Sequence, residues 1–229
     1  MARAAIIFCL GSMTSGLAAP QCPPDDTLAR RIEAQWPMRE RLDPVSLYIV
    51  DLGQRLANEA QETRHWKFHV VRDKKASAFA TPSADLYISE GVLLLAQDEE
   101  EVMAAIAHEM GHVLLGHFCE HRQGGWWRWL SWTWEKGNGL PRKNSERRVP
   151  AMGNLAQEVD PQKEKEADSL AASLLWRAGA NPGALARLLG RILPPEDPRL
   201  SALAGLPSRR QAPPPSKKFM EIKKILEKE

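Results

Sequence analysis

The stretch AAIAHEMGHVLLGH, residues 104–117, carries His108 and His112 four apart in an apolar run, with Glu109 directly after the first histidine. On a helix, side chains at i and i+4 share a face, about 40° apart with Cβ atoms roughly 5–6 Å from each other. That separation lets both imidazoles reach one zinc ion at ~2.0–2.1 Å. Glu109 would sit beside such an ion without ligating it, where a carboxylate can take a proton from a zinc-bound water. The chemistry is metal-assisted hydrolysis, and His-Glu-x-x-His is its spacing. The competing possibility is a buried helix whose histidines bond to carbonyls, so the rest of the chain must decide.

Two histidines leave zinc under-coordinated; a site also needs a third protein ligand and partners that orient the imidazoles. His117 and His121 do not qualify on a continuous helix, because they fall about 180° and 220° from His108. They are expected at the surface or the helix end, unless Gly116 breaks the helix and changes that geometry. EKEAD, residues 164–168, places Glu164 and Asp168 four apart on one helix face. A helix crossing the first one would offer Glu164 as the missing ligand, and Asp168 could accept the N–H of a ligating histidine. Glu166 points about 200° away from Glu164 and reads as a solvated charge. A Glu/Asp pair at this spacing is by itself an ordinary charged face. His65 and His69 are also four apart, but in a strand that spacing is roughly 13 Å, too far to share a metal. Both are expected to face solvent.

The elements that must position these residues are legible in part. Asp98 followed by Glu101 is a capping arrangement for the His108 helix, and Val102, Ile106, Met110 and Val113 mark its buried side. Asp160-Pro161 starts the second helix, which runs through Glu164, Asp168, Leu170, Leu174 and Leu175 to a stop at Gly179. Upstream, Leu28, Ile32 and Trp36 recur at helical spacing, as does a run from Val45 to Leu56 after Asp43-Pro44. HWKFHVVRD alternates, with Trp66, Phe68 and Val70 on one face. ASAFATPSADLYIS then reads as a short extended piece, a turn at residues 82–85 and a strand at 86–89. These predict an α+β, mostly helical fold with a small antiparallel sheet beside the His108 helix.

At this point the chain resembles the M48 family of zinc metallopeptidases, the HtpX-like gluzincins of soluble periplasmic type. ASAFATPSADLYISEGVLLL, HEMGH, EKEAD, AGANPGAL and PPEDPRLSAL carry the likeness, in order, over roughly residues 68–203. The resemblance implies a zincin-like fold with one Zn²⁺ per chain, held by His108, His112 and Glu164. It implies Glu109 as general base and Asp168 behind a ligand. It also implies an edge strand, Ser77, Ala78, Phe79, Ala80 and Thr81, on which a substrate backbone lies. One departure is clear: the family commonly has a histidine before the two prolines where this chain has Leu193. Arg199 is a candidate transition-state stabiliser on charge alone.

The expected activity is hydrolysis of peptide bonds in exported, misfolded or membrane-associated proteins. The rival is a catalytically silent zinc-containing chaperone or scaffold of an envelope assembly.

With 229 residues, 43% of them hydrophobic and a net charge of +2, the chain allows one buried domain with appendages. No basic stripe points to nucleic acid. Residues 1–19 have the layout of a signal peptide cleaved near Ala18 or Ala19, which implies a periplasmic or secreted protein without a transmembrane helix in its mature part. Residues 20–205 form the expected peptidase domain, and 206–229 a Pro-rich linker with a charged, solvated helical tail. Cys22 and Cys119 either pair or stay free. Within residues 124–150, Trp126–Trp134 holds five of the eight tryptophans. Three roles stay open for that stretch: core packing, a lid over the zinc, or peripheral membrane contact.

Overall fold

The computed structural model describes residues 26–61, 63–118, 160–206 and 212–229. The expected signal segment, Cys22, Cys119, His121 and the Trp126–Trp134 stretch lie outside the described residues.

The chain is mostly helical around a three-stranded sheet. Helices α1 (Asp26–Gln35) and α2 (Pro44–Glu59) precede strands β1 (Lys67–Val71), β2 (Ala78–Ala80) and β3 (Asp85–Ser89). Then follow α3 (Glu90–Leu95), α4 (Glu99–Leu114), α5 (Pro161–Arg177), α6 (Gly183–Leu189), α7 (Pro198–Ala204) and α8 (Lys217–Lys228). Among the described residues no helix is long and apolar enough to cross a membrane.

The sheet order is β1-β3-β2, with β1 parallel to β3 and β2 antiparallel to it. The sheet is therefore mixed, where alternation alone suggested a purely antiparallel one. A period of two says which side chains share a face and nothing about strand direction. Residues 72–77 are also too many for a two-residue hairpin between β1 and β2.

One face of the sheet meets α2 and α4 through Trp66, Phe68, Val70, Leu86 and Ile88. The other is covered by α1 and the residue after it: Leu28, Ile32 and Trp36 pack on Val71, Phe79 and Tyr87. This second layer overturns the expectation for His69. Its ring is buried, stacks on Tyr87 at 4.8 Å and lies 3.2 Å from Asp85 Oδ1. His65 is exposed, as expected.

Helix α4 runs through the centre. Asp98 caps it by accepting from Glu101 N–H at 3.0 Å, and Val102, Ile106, Met110 and Val113 are buried. Each such aliphatic side chain contributes about 1.5–3 kcal/mol on full burial. Glu101 itself is fully buried and ion-paired to Arg187 and Arg191 of the α6 region, which fastens α6 to the start of α4.

The tail helix α8 is docked, not solvated. Phe219, Ile222 and Leu226 fall on one face and are buried in the main core. The residue that caps it, Glu229, joins Asp43 and Glu90 around the buried Arg39 guanidinium. A segment of mixed charge reads as solvated until the groove that takes its apolar stripe exists.

Candidate metal centre

Helices α4 and α5 cross so closely that only a glycine fits at the contact. A Cβ on Gly111 would stand 2.9 Å from Ala167 O and 3.2 Å from Ala167 Cα. Gly111 lies inside the HEMGH motif, and Ala167 lies between Glu164 and Asp168. The small residues of both motifs thus set the distance between the two helices, a role that the spacing of their polar residues does not reveal.

The crossing brings His108, His112 and Glu164 together. His108 Nε2 and His112 Nε2 are 3.1 Å apart. Glu164 Oε2 is 3.3 Å from the first, and Glu164 Oε1 is 3.0 Å from the second. Ligands at ~2.0–2.1 Å in tetrahedral directions are separated by about 3.3–3.4 Å, close to the spacing of the two Nε2 atoms, and one atom from each of the three residues lies within 4.8 Å of the others, so the cluster can close around one ion. The two imidazoles and one carboxylate form a set that a divalent transition metal accepts.

Outer contacts complete each donor differently. Asp168 Oδ1 is 2.9 Å from His108 Nδ1, a contact distance without the alignment of a straight hydrogen bond. Arg199 donates to both oxygens of Asp168, at 2.9 and 2.8 Å, and its Nη1 lies 2.8 Å from Glu164 Oε2. The guanidinium is thus occupied with the carboxylates behind the donors. Leu193 is half-buried in the segment between α6 and α7.

Electrostatics follow from this crowding. Burial works against a proton on His108, but Asp168 and then Glu164 more than offset it and push the ring up to about 10. Burial also opposes the charge on Glu164, yet His108 and His112 hold its carboxyl well below the usual range. Glu109 is half-buried, and its carboxylate accepts no hydrogen bond from the described residues. Burial raises its carboxyl, partly offset by His108 and His112.

His117 is not on the far side of the helix. Gly116 takes φ +67°, Gly116 N–H bonds to Val113 O at 3.1 Å, and His117 N–H bonds to His112 O at 3.1 Å. This is the Schellman ending, in which the residue after the left-handed glycine turns back toward the helix. His117 Nδ1 consequently lies 3.0 Å from His112 Nδ1, and its Nε2 lies 3.2 Å from Glu166 Oε2. Glu166 is exposed as expected but is tied into this contact and to Gln162. The signal was present as a glycine just past the last apolar helical position.

A Gly111→Ala substitution is expected to cost about 1–3 kcal/mol, because backbone, not a flexible side chain, blocks the new methyl. A lowered denaturant midpoint at unchanged slope would register it. Weakened metal retention should accompany it, since parting α4 from α5 withdraws Glu164 from the histidines.

A mostly helical α+β fold with a His, His, Glu donor set on two crossing helices has the character of a metal-dependent hydrolase. The family model for "Peptidase family M48" matches residues 46–221. The chain belongs to that family. It is 31% identical over 78 residues to the "Mitochondrial metalloendopeptidase OMA1" of Schizosaccharomyces pombe, covering 34% of this chain and 23% of that one. It is 26% identical over 164 residues to the "Beta-barrel assembly-enhancing protease" of Escherichia coli, covering 66% of this chain and 33% of that one. The OMA1 of Saccharomyces cerevisiae is 26% identical over 92 residues, covering 38% of this chain and 27% of that one. The chain thus spans about a third or less of the relatives it matches.

Proposed function

We propose that this chain is a zinc-dependent endopeptidase in which His108, His112 and Glu164 hold one Zn²⁺ and Glu109 is the general base. The observation that carries the reading is the cluster of donors: the two Nε2 atoms lie 3.1 Å apart, and each is 3.0–3.3 Å from one oxygen of the Glu164 carboxylate, beside a Glu109 carboxylate that accepts no hydrogen bond among the described residues. Zinc in that position supplies Lewis acidity, polarising a substrate carbonyl and making water acidic near neutral pH.

The chain's own residues do the rest. Glu109 accepts the proton of the attacking water and delivers a proton to the leaving amine. A carboxyl raised by burial is suited to both directions of that transfer. Asp168 steadies the His108 ring, and Arg199 steadies Asp168. Arg199 is better read as a positioning residue than as the group that stabilises the oxyanion.

Substrate docking by strand addition is supported by the ladder on β2. Ser77 O accepts from Ser89 N–H and Thr81 N–H donates to Asp85 O, both toward β3. Alternation then turns the backbone groups of Ala78 and Ala80 to the outer edge, which no strand among the described residues pairs. Ser77, Ala78, Phe79, Ala80 and Thr81 are therefore the residues along which an extended polypeptide would lie.

Exported, misfolded or membrane-associated proteins in the periplasm are the proposed substrates. The signal-like residues 1–19 and the likeness to an assembly-enhancing protease support that setting. A silent zinc scaffold is the weaker alternative, because structural zinc sites fill four positions with protein ligands and three are gathered among the described residues. Digestion of an unfolded protein such as casein, with and without chelator, tests the reading. Cleavage unaffected by chelator, or no cleavage by the zinc-loaded chain, would sink it.

Metal binding should depend on pH in a defined direction. Below about 10 the His108 ring carries a second proton and is an imidazolium in the metal-free cluster, and the ion must displace that proton. Affinity is therefore expected to rise with pH across pH 7–9, by roughly tenfold per unit for this one proton. Chelator competition at several pH values measures it; a flat profile would contradict the linkage.

A further inference from the structure

We infer that His117, with Glu166 behind it, is the residue that orients His112 for metal binding, an inference that rests on the zinc reading above. Each ligand histidine has one nitrogen left for the protein once the other is on the ion. For His108 that nitrogen faces Asp168 directly. For His112 it faces another imidazole, His117 Nδ1, at 3.0 Å.

The direction of every bond in this chain follows from the ion. A metal on His112 Nε2 uses that nitrogen's lone pair, so the His112 proton sits on Nδ1 and is donated to His117. His117 Nδ1 must then be the acceptor, which leaves its own proton on Nε2. That proton is donated to Glu166 Oε2 at 3.2 Å. The other oxygen of Glu166 accepts from Gln162 Nε2 at 2.7 Å. The relay runs from ligand to neutral imidazole to carboxylate, and it selects a single tautomer in each ring.

Two features hold His117 in this role. The Schellman ending fixes its backbone by His117 N–H to His112 O at 3.1 Å. Lys163 of α5 also donates to His117 O at 3.3 Å, so both metal helices grip the same residue. Its side chain is only 7% exposed. Outer partners of ligand histidines typically change metal affinity by roughly 10–100-fold.

The test uses the full chain and zinc itself. His117→Ala is expected to weaken zinc binding by roughly 10–100-fold in chelator competition. His117→Asn should restore most of the affinity, because Asn Oδ1 stands as many bonds from Cβ as His Nδ1 and can accept from His112. Nitrogen NMR of the zinc-loaded parent should find His112 protonated on Nδ1 and His117 on Nε2. Parent-like zinc affinity in the alanine variant would overturn the inference, as would an asparagine variant no better than alanine, or a His117 proton on Nδ1. A parent chain that binds no zinc would overturn the zinc reading itself, a result distinct from these.

Discussion

Replacing Glu109 with glutamine is expected to leave zinc bound while lowering peptide hydrolysis by about 10²–10⁴-fold, the range for a general acid–base group. Glutamine has the same shape but cannot accept a proton, so the substitution removes the chemistry without emptying the site. The three donor atoms belong to His108, His112 and Glu164, and none of them leans on the Glu109 carboxylate. Metal content and kcat/KM on an unfolded protein, measured on one preparation, separate the two effects. A variant that retains zinc and cleaves at the parent rate would refute the assignment of the base.

Replacing Glu164 with alanine should instead act on the metal. It removes one of the three proposed ligands and strips Arg199 Nη1 of its 2.8 Å partner beside the two imidazoles. The site then holds a guanidinium where it held a carboxylate, and a dication is opposed rather than attracted. The expected loss of zinc affinity exceeds the roughly 100-fold ceiling seen when only an outer partner is removed. Activity should fall with occupancy and return in part at high zinc, a recovery that the Glu109→Gln chain would not show. Zinc binding at parent affinity in a folded Glu164→Ala chain would remove Glu164 from the ligand set.

The contrast between His112 and His117 explains where reading the sequence stops working. His108 and His112 lie within a regular helix, and constant rotation per residue tells which side chains share a face. The same arithmetic sends His117 to the opposite side of a continuous helix, and Gly116 is the residue that can break that geometry. One glycine at φ +67° ends the rotation and folds the next residue back. His69 failed for another reason: the alternation within β1 was correct, but α1 lies over the face assumed to be open. The α8 stripe of Phe219, Ile222 and Leu226 was visible, yet its burial depends on a groove made by distant residues.

By itself the sequence determined the helices that carry the two motifs, their caps at Asp98 and Asp160, the types of the candidate donor residues and the family resemblance. These are local properties, set by periodicity and by which side chains can bond nearby backbone. Tertiary structure alone decided the mixed sheet, the layers over it and the approach of α4 to α5. That approach depends on a missing Cβ at Gly111 meeting the backbone of Ala167, residues 56 positions apart in the chain. Contacts between remote segments leave no period in the sequence, and it is such contacts that turn three suitable side chains into one donor set.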